Sequence, residues 1–350
     1  MIEFKNFTIS ENASALASLE LIDKIGIPGM TIFIIDGNNQ LKGSLTDGDI
    51  RRGLLNGLIV ESSVHKFMNV ASKYFTQGEN NYKKTKQYKE SGIRFAPMLN
   101  SEKQIIEIID LDKVKSMLPV DVILMAGGKG DRLKPLTDNI PKPMVKIGDK
   151  PIIVTNVNRL VNFGVTNFHI SVRHMAEKVE QGINDYITDN VKISFVKEDK
   201  PLGTIGSVKL IPHFINDTVL LMNSDLLTNI DFDDFYNKFI ETGSDFQVAT
   251  VPYYVDVPYA VMKINESEEV VSFSEKPRYT YYSNAGIYLF KKELIHLIPE
   301  NEVFNATDFM EKIIASKKKV MSYPIIGYWL DIGRIEDYYK AQEDIKHLKL

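Results

Sequence analysis

Apolar runs and helical stretches take turns through the middle of the chain. Val120-Asp121-Val122-Ile123-Leu124-Met125 is an apolar run closed by a glycine-rich turn, the pattern of a buried strand in an α/β sheet. A helix over Ile152–Phe163 follows, with Pro151 placed as its first residue and Gly164 as its stop. Then come a strand at Thr166–Val172, a helix at Ala176–Ile187, a strand at Lys192–Val196 and a helix beginning near Leu202-Gly203-Thr204. The strand Thr218–Met222 delivers Asn223-Ser224-Asp225 at its end. This alternation predicts an α/β fold, a Rossmann-like, mostly parallel sheet with helices on both faces. Ligands of such sheets bind beyond the carboxyl ends of the strands, where the glycine turn and Asp225 both fall. From Asp245 strands dominate, at Phe246–Tyr254, Tyr259–Ile264, Val270–Phe273 and Tyr282–Phe290. They predict a mixed or antiparallel extension, with a closing helix at Ile335–Leu350.

The first 118 residues carry a shorter pattern twice over: helix, strand, tight turn, strand, short helix. Ser10 is placed to cap a helix with Leu16, Leu19, Ile22 and Ile25 on its apolar face, and Gly26 to end it. Strands Thr31–Ile35 and Leu41–Leu45 flank the turn Asp36-Gly37-Asn38-Asn39, and Asp47 is placed to cap a helix Ile50–Asn56. In the second copy a helix around Asn80–Glu90 leads to strands Ile93–Leu99 and Ile105–Ile109, joined at Asn100-Ser101-Glu102-Lys103. Aligning Gln40 with Gln104 superimposes the two copies, a small pseudo-symmetric α+β domain. Pro119 marks the linker, giving domains 1–118 and 119–350.

Composition narrows the chemistry. A chain of 350 residues exceeds the roughly 250–300 that one core supports, in line with two domains. A net charge of −4 argues against a nucleic-acid partner. The absence of cysteine excludes thiolate nucleophiles, disulfides and cysteine metal sites. No stretch has the length to span a bilayer and no signal pattern opens the chain, so a soluble cytoplasmic protein is expected.

The glycine turn runs Ala126-Gly127-Gly128-Lys129-Gly130-Asp131-Arg132-Leu133 and continues through Pro135-Leu136-Thr137 to Pro141-Lys142-Pro143-Met144. Glycines straight after a strand let backbone N–H groups approach an anion, and Arg132 and Lys142 add positive charge. The dinucleotide fingerprint fails because its third glycine is Leu133, and the P-loop fails because Lys129 is followed by Gly130. A phosphate site of another kind remains, and a plain structural turn is the competing reading.

With those residues, the stretch resembles the signature of sugar-1-phosphate nucleotidyltransferases, and the likeness covers nearly all of 120–350. Pro201-Leu202-Gly203-Thr204 resembles the family's nucleobase-side loop, and Asn223-Ser224-Asp225 its metal-binding strand end. Ser274-Glu275-Lys276-Pro277 and Ser283-Asn284-Ala285-Gly286 resemble the sugar-phosphate pocket, and Gly327–Gly333 the segment with the second metal carboxylate, Asp331. The resemblance implies attack by a sugar 1-phosphate on the α-phosphorus of a nucleoside triphosphate. Asp225 and Asp331 would hold Mg²⁺, Arg132 and Lys142 the triphosphate, and Lys276, Glu275, Asn284 and Gly286 the sugar phosphate. Asp131 departs from the family pattern and is expected to point outward or pair with a base.

The N-terminal repeat resembles a pair of cystathionine-β-synthase (CBS) motifs, which often bind adenine nucleotides. Thr46, Asp49 and Arg52 match the ribose- and phosphate-holding positions, whereas the second copy has Asp110 and Lys113 there. A docking or dimerisation surface is the alternative. The combination resembles the glucosamine-1-phosphate guanylyltransferases of legionaminic-acid biosynthesis, which favours GTP over UTP or dTTP. A non-catalytic nucleotide sensor is the alternative class, against which the presence of Arg132, Lys142, Asp225, Lys276 and Asp331 together speaks, and a homo-oligomer is in keeping with CBS pairs, which commonly dimerise.

Overall fold

This computed structural model describes residues 4–26, 30–187 and 191–348. The chain divides into two compact units, Met1–Pro119 with Asn162–Gly164, and Val120–Val161 with Val165–Leu350.

In the first unit the repeat takes the form of two three-stranded sheets. Strands β1 (Thr8–Ser10), β2 (Thr31–Ile35) and β3 (Leu41–Thr46) make one, and β4 (Phe75–Thr76), β5 (Phe95–Leu99) and β6 (Ile105–Asp110) the other. Helices α1 (Ala15–Ile25), α2 (Asp47–Leu55) and α3 (Tyr82–Glu90) accompany them. The residues aligned from the repeat meet each other across its pseudo-twofold axis, Gln40 bridging to Gln104. Each glutamine side chain donates to the other copy's turn, Gln40 Nε2 to Glu102 O and Gln104 Nε2 to Asn38 O, both at 2.9 Å. Asn39 and Lys103 share a left-handed φ of 62° at equivalent turn positions.

Two caps differ from expectation. Ser14, not Ser10, caps α1, accepting from Ala17 N at 3.2 Å, because Ser10 is spent at the end of β1. Helix α2 starts at Asp47 and is capped by Thr46, since Thr46 and Asp49 have the three-residue spacing of a capping box.

The second unit is built on a seven-stranded sheet of order β11-β10-β7-β12-β17-β14-β18. These strands are β7 (Val120–Met125), β10 (Asn167–Val172), β11 (Lys192–Lys197), β12 (Thr218–Asn223), β14 (Phe246–Asp256), β17 (Arg278–Lys291) and β18 (Val320–Pro324). Only β17 opposes the common direction. The hairpin β8 (Lys146–Ile147) and β9 (Lys150–Pro151), the ladder of β13 (Leu226–Thr228) with β19 (Trp329–Asp331), and the hairpin β15 (Val261–Ile264) and β16 (Val270–Ser274) lie outside that sheet. Helices α4 (Ile152–Asn162), α5 (Ala176–Asn184), α6 (Phe232–Thr242), α7 (Ala306–Ala315) and α8 (Ile335–Asp344) complete the unit. The middle of β7 is fully buried at Val122, Ile123 and Leu124, as expected of a strand covered on both faces.

Pro151 belongs to β9 rather than to α4, because the β8–β9 hairpin holds the backbone extended up to Ile152 N, which donates to Val145 O. No α-helix starts at Leu202-Gly203-Thr204. Leu202 O accepts from Phe304 N and Ile205 N donates to Phe304 O, so a distant segment has taken the groups a helix needs, and only a 3₁₀ turn forms at Gly206–Leu210. The closing helix ends at Asp344, and positions 349–350 lie outside the described residues.

Candidate active site

The glycine loop continues β7 at the carboxyl end of the sheet. Ala126 N donates to Ser171 O on β10, and Gly127 O accepts from Arg173 at 3.3–3.4 Å. Gly130 sits at φ 71°, where a Cβ would lie 2.9 Å from Lys142 Cβ, and Thr137 Oγ1 donates to Gly130 O at 2.8 Å. The loop is therefore folded against the segment that carries Lys142. A Cβ on Gly128 would meet nothing within 4 Å, which leaves that backbone open to an incoming anion. Leu133 is buried and anchors the following 3₁₀ turn, while Arg132 stays exposed. Asp131 is exposed and pairs with Lys134 at 3.2 Å.

Asp225 and Asp331 are brought together by a short ladder. Leu226 of β13 pairs with Asp331 of β19, and Ile332 N donates to Asp225 O at 3.1 Å. Lys142 forms an ion pair with Asp225. The Asp331 carboxyl is held above the usual range by its own burial, then by the charge of Asp225, with Lys142 and Arg132 acting against both. Its Oδ1 is buried and has no hydrogen-bond partner. Arg132 Nη2 and both Asp331 oxygens each lie 3.8 Å from where a Cβ on Gly333 would stand, and the Arg132 charge is felt at Asp331 without a direct ion pair.

The loop that carries Asp225 is gripped from α4 by two side chains absent from the sequence-based expectations. Buried Asn156 donates to Ser224 O at 3.2 Å and Leu226 O at 2.9 Å. Buried Arg159 donates to Thr228 O and Ile230 O, and burial pulls its guanidinium down to about 10. Their signal was present: Asn156 and Arg159 are three apart, one helical turn, on the apolar face of Ile152–Asn162.

In the loop expected to face a nucleobase, Leu202 N donates to buried Glu198 at 3.2 Å, and Ser171 Oγ donates to the other oxygen of that carboxylate. Gly203 has φ 77° and packs its Cα on Phe304 O, 2.4 Å from where a Cβ would stand. Thr204 Oγ1 accepts from Ala306 N at 2.8 Å and so tethers the start of α7. Of the residues expected at the sugar phosphate, Glu275 and Lys276 occupy the exposed bend between β16 and β17, Lys276 at a left-handed φ of 44°. Asn284 donates to Tyr288 Oη and accepts from Gly286 N. Gly286, at φ 71°, lets β17 approach Asn223, whose Nδ2 would lie 2.6 Å from a Cβ. His169 is buried against Ser194 at 2.6 Å with its pKa lowered by that burial, a packed histidine and not a site residue.

In the first unit, Thr46 and Asp49 satisfy each other. Thr46 Oγ1 donates to Asp49 Oδ2 at 2.7 Å, Asp49 N donates to Thr46 Oγ1 at 3.2 Å, and Arg52 pairs with Asp49 Oδ1 at 2.5 Å.

The strand-end glycine loop, the two joined carboxylates and the nearby cations gather at the carboxyl end of an α/β sheet, where such folds bind ligands. The chain belongs to the nucleotidyl transferase family, whose model matches residues 121–347. It is 32% identical over 235 residues to the mannose-1-phosphate guanyltransferase of Saccharomyces cerevisiae, covering 62% of each chain. It is 29% identical over 231 residues to the bifunctional protein GlmU of Methanocaldococcus jannaschii, covering 64% of this chain and 54% of that one. The chain thus spans between about half and two thirds of the length of these curated relatives. Among solved structures it is similar to HddC from Yersinia pseudotuberculosis, 31% identical at a TM-score of 0.50 over 65% of this chain and 99% of that one. A second crystal structure of HddC holds GMP-PN.

Proposed function

We propose that residues 119–350 catalyse nucleotidyl transfer from a nucleoside triphosphate to a sugar 1-phosphate, giving an NDP-sugar and pyrophosphate. The observation that carries the reading is the cluster of Arg132, Lys142, Asp225 and Asp331 around an open glycine backbone. The sugar-phosphate oxygen bonds to the α-phosphorus while the bond to the β-phosphate oxygen breaks and pyrophosphate leaves. The nucleophile is already anionic, so no base is required, and catalysis is the in-line positioning of two polyanions with their charge neutralised. Arg132 takes the leaving phosphates and Lys142 the α-phosphate region. Lys276, with Glu275, Asn284 and Gly286, takes the sugar phosphate.

Two adjoining carboxylates, one with a buried and unpartnered oxygen, suit Mg²⁺, which takes one or two carboxylates plus phosphate oxygens. Asp225 and Asp331 would hold it, and it would supply charge neutralisation on the phosphates. Among the described residues no group of three such ligands gathers, which fits a cation completed by substrate.

GTP is the favoured nucleotide and a hexosamine or hexose 1-phosphate the favoured acceptor, for surface-glycan synthesis in the cytoplasm. Guanylyltransferases among the relatives and the GMP-PN complex of HddC support this choice. Uridylyl transfer is the second reading, supported by the similar UTP–glucose-1-phosphate uridylyltransferase of Synechocystis. Residues 1–118 are assigned as a CBS-like regulatory domain taking an adenine nucleotide at Thr46, Asp49 and Arg52, with docking as its alternative role. A matrix of four NTPs against hexose and hexosamine 1-phosphates, with Mg²⁺, tests the function through pyrophosphate release and NDP-sugar mass. GDP-sugar is expected; a clear UTP preference overturns the base, and no pyrophosphate from any pair overturns the reaction.

A further inference from the structure

Arg173 follows β10 directly, and the proposed transfer gives it no part. Ser171 pairs with Met125 on one side and with Val196 on the other. Two residues further along these three strands come Arg173, Gly127 and Glu198, on the same face by the period of a strand. Their contacts agree. Glu198 Oε1 lies 3.3 Å and Arg173 Cβ 3.6 Å from where a Cβ on Gly127 would stand. The loop expected to face a nucleobase packs on this face, through Leu202 N on Glu198 and Ser207 Oγ on the Met125 sulfur at 3.9 Å. Half-buried Arg173 donates from Nε and Nη2 to Gly127 O, at 3.4 and 3.3 Å. A guanidinium has five N–H donors, so the outer edge formed by Nη1 and Nη2 keeps its protons unused. Arg173 makes no ion pair among the described residues, and both oxygens of Glu198 already accept from Ser171 and Leu202.

We propose that Arg173 is a specificity-determining residue whose outer N–H pair donates to O6 and N7 of a guanine base, an inference that rests on the nucleotidyl-transfer reading above. Guanine sets two acceptors side by side on that edge, the match for a guanidinium fork. Adenine sets an amino donor beside its N7, and a guanidinium has no acceptor to meet it. Uracil and thymine offer O4 alone. The bond to Gly127 O fixes the inner edge of the fork, so little freedom is lost when the outer edge binds. Position separates this role from the phosphate work. In the sheet β10 and β12 flank β7 on opposite sides, so Arg173 stands across the glycine loop from Asp225, which follows β12 and pairs with Lys142.

Equilibrium binding of GTP, 7-deaza-GTP and ATP to the full-length chain tests this, with Mg²⁺ present and sugar 1-phosphate left out so that no transfer occurs. 7-Deaza-GTP keeps the triphosphate and O6 and lacks only the N7 acceptor. The unmodified chain is expected to bind GTP at least about tenfold more tightly than 7-deaza-GTP, the scale of one charge-assisted hydrogen bond, and to bind ATP more weakly still. Arg173→Met is expected to bind GTP and 7-deaza-GTP within about twofold of each other. Equal affinity of the unmodified chain for those two nucleotides overturns the proposal, whether or not the variant folds. An Arg173→Met chain that weakens by one common factor for GTP, 7-deaza-GTP and ATP also overturns it, because the guanidinium then serves phosphate or the Gly127 carbonyl alone. Pyrophosphate release is read separately. Discrimination for N7 without turnover upholds Arg173 and overturns the reaction, whereas turnover without that discrimination does the reverse.

Discussion

Lys142 and Asp225 form an ion pair beside the glycine loop, with 15% and 17% of their side chains exposed. The ammonium proposed for the α-phosphate thus lies on the carboxylate proposed for the metal. Two prolines flank Lys142, so this position is set by backbone as much as by charge. Asp225→Ala is expected to lower kcat by at least about 10²-fold, the scale of losing one preorganised electrostatic group. It should also cost about 1–3 kcal/mol of stability, because a largely buried ammonium loses its partner. Pyrophosphate release at saturating Mg²⁺ and substrates decides it, and near-normal turnover would sink the assignment of Asp225.

Asp331 is a different case, because the folded chain holds its carboxylate at a disadvantage. One oxygen is buried without a partner and Asp225 lies alongside. Asp331→Asn keeps the shape and removes the like charge. Thermal unfolding of the substrate-free protein should therefore show a gain of about 0.5–2 kcal/mol, with turnover reduced as strongly as in Asp225→Ala. A loss of stability would mean that the two carboxylates are not in conflict.

Two glycines proposed for the nucleotide subsite separate space for ligand from space for the fold. At Gly128 a methyl group meets nothing and no left-handed φ is required, so Gly128→Ala should unfold within about 0.5 kcal/mol of the parent. The methyl would stand where phosphate approaches the backbone, and KM for the triphosphate should rise about tenfold, equivalent to 1.4 kcal/mol. Gly203→Ala places a Cβ against Phe304 O at a left-handed φ and should destabilise by about 2 kcal/mol or more. Equal melting temperatures for the two variants would contradict this division.

The sheet was legible because its strands announce themselves locally. Val120–Met125, Thr218–Met222 and Tyr282–Phe290 are apolar runs with clear ends, and they lie side by side in the folded sheet. Features fixed by distant partners were not legible. Nothing local at Leu202-Gly203-Thr204 says that Phe304 will take its backbone groups, and nothing near Pro151 says that Lys146–Ile147 will hold it in a hairpin. The caps failed for a related reason: Ser10 and Ser14 are both competent, and only the pairing of β1 with β2 consumes the first. Asp225 was marked by its place at a strand's carboxyl end, whereas Asp331 entered only through family resemblance, since alone it reads as an ordinary turn aspartate. Their contact is made by the ladder of β13 and β19, too short to stand out as strands.

Thr46 tests the regulatory reading. Its hydroxyl and the Asp49 carboxylate close the capping box of α2, so Thr46→Ala should cost about 1 kcal/mol whatever the unit binds. If an adenine nucleotide binds there, AMP at about 100 times its Kd should stabilise the parent chain by roughly 2.7 kcal/mol and leave Thr46→Ala unshifted. Differential scanning fluorimetry with and without AMP gives both numbers. A melting temperature that falls in the variant while AMP shifts neither protein assigns Thr46 and Asp49 to the cap alone.

Lys276 holds a left-handed backbone conformation in an exposed bend, with no ion pair among the described residues. A non-glycine residue kept at φ 44° stores strain, and strain of this kind gathers where a side chain must be aimed. Lys276→Gly should relieve it and raise stability by about 0.5–1 kcal/mol. The same change removes the ammonium proposed for the sugar phosphate, so KM for the sugar 1-phosphate should rise by at least about tenfold while KM for the triphosphate stays within about twofold. Lys276→Arg restores charge without relieving φ, and should recover part of the sugar-phosphate affinity with no gain in melting temperature. Should the glycine variant lose affinity for both substrates equally, the bend would be shaping the whole cleft and Lys276 would have no separate role at the sugar phosphate.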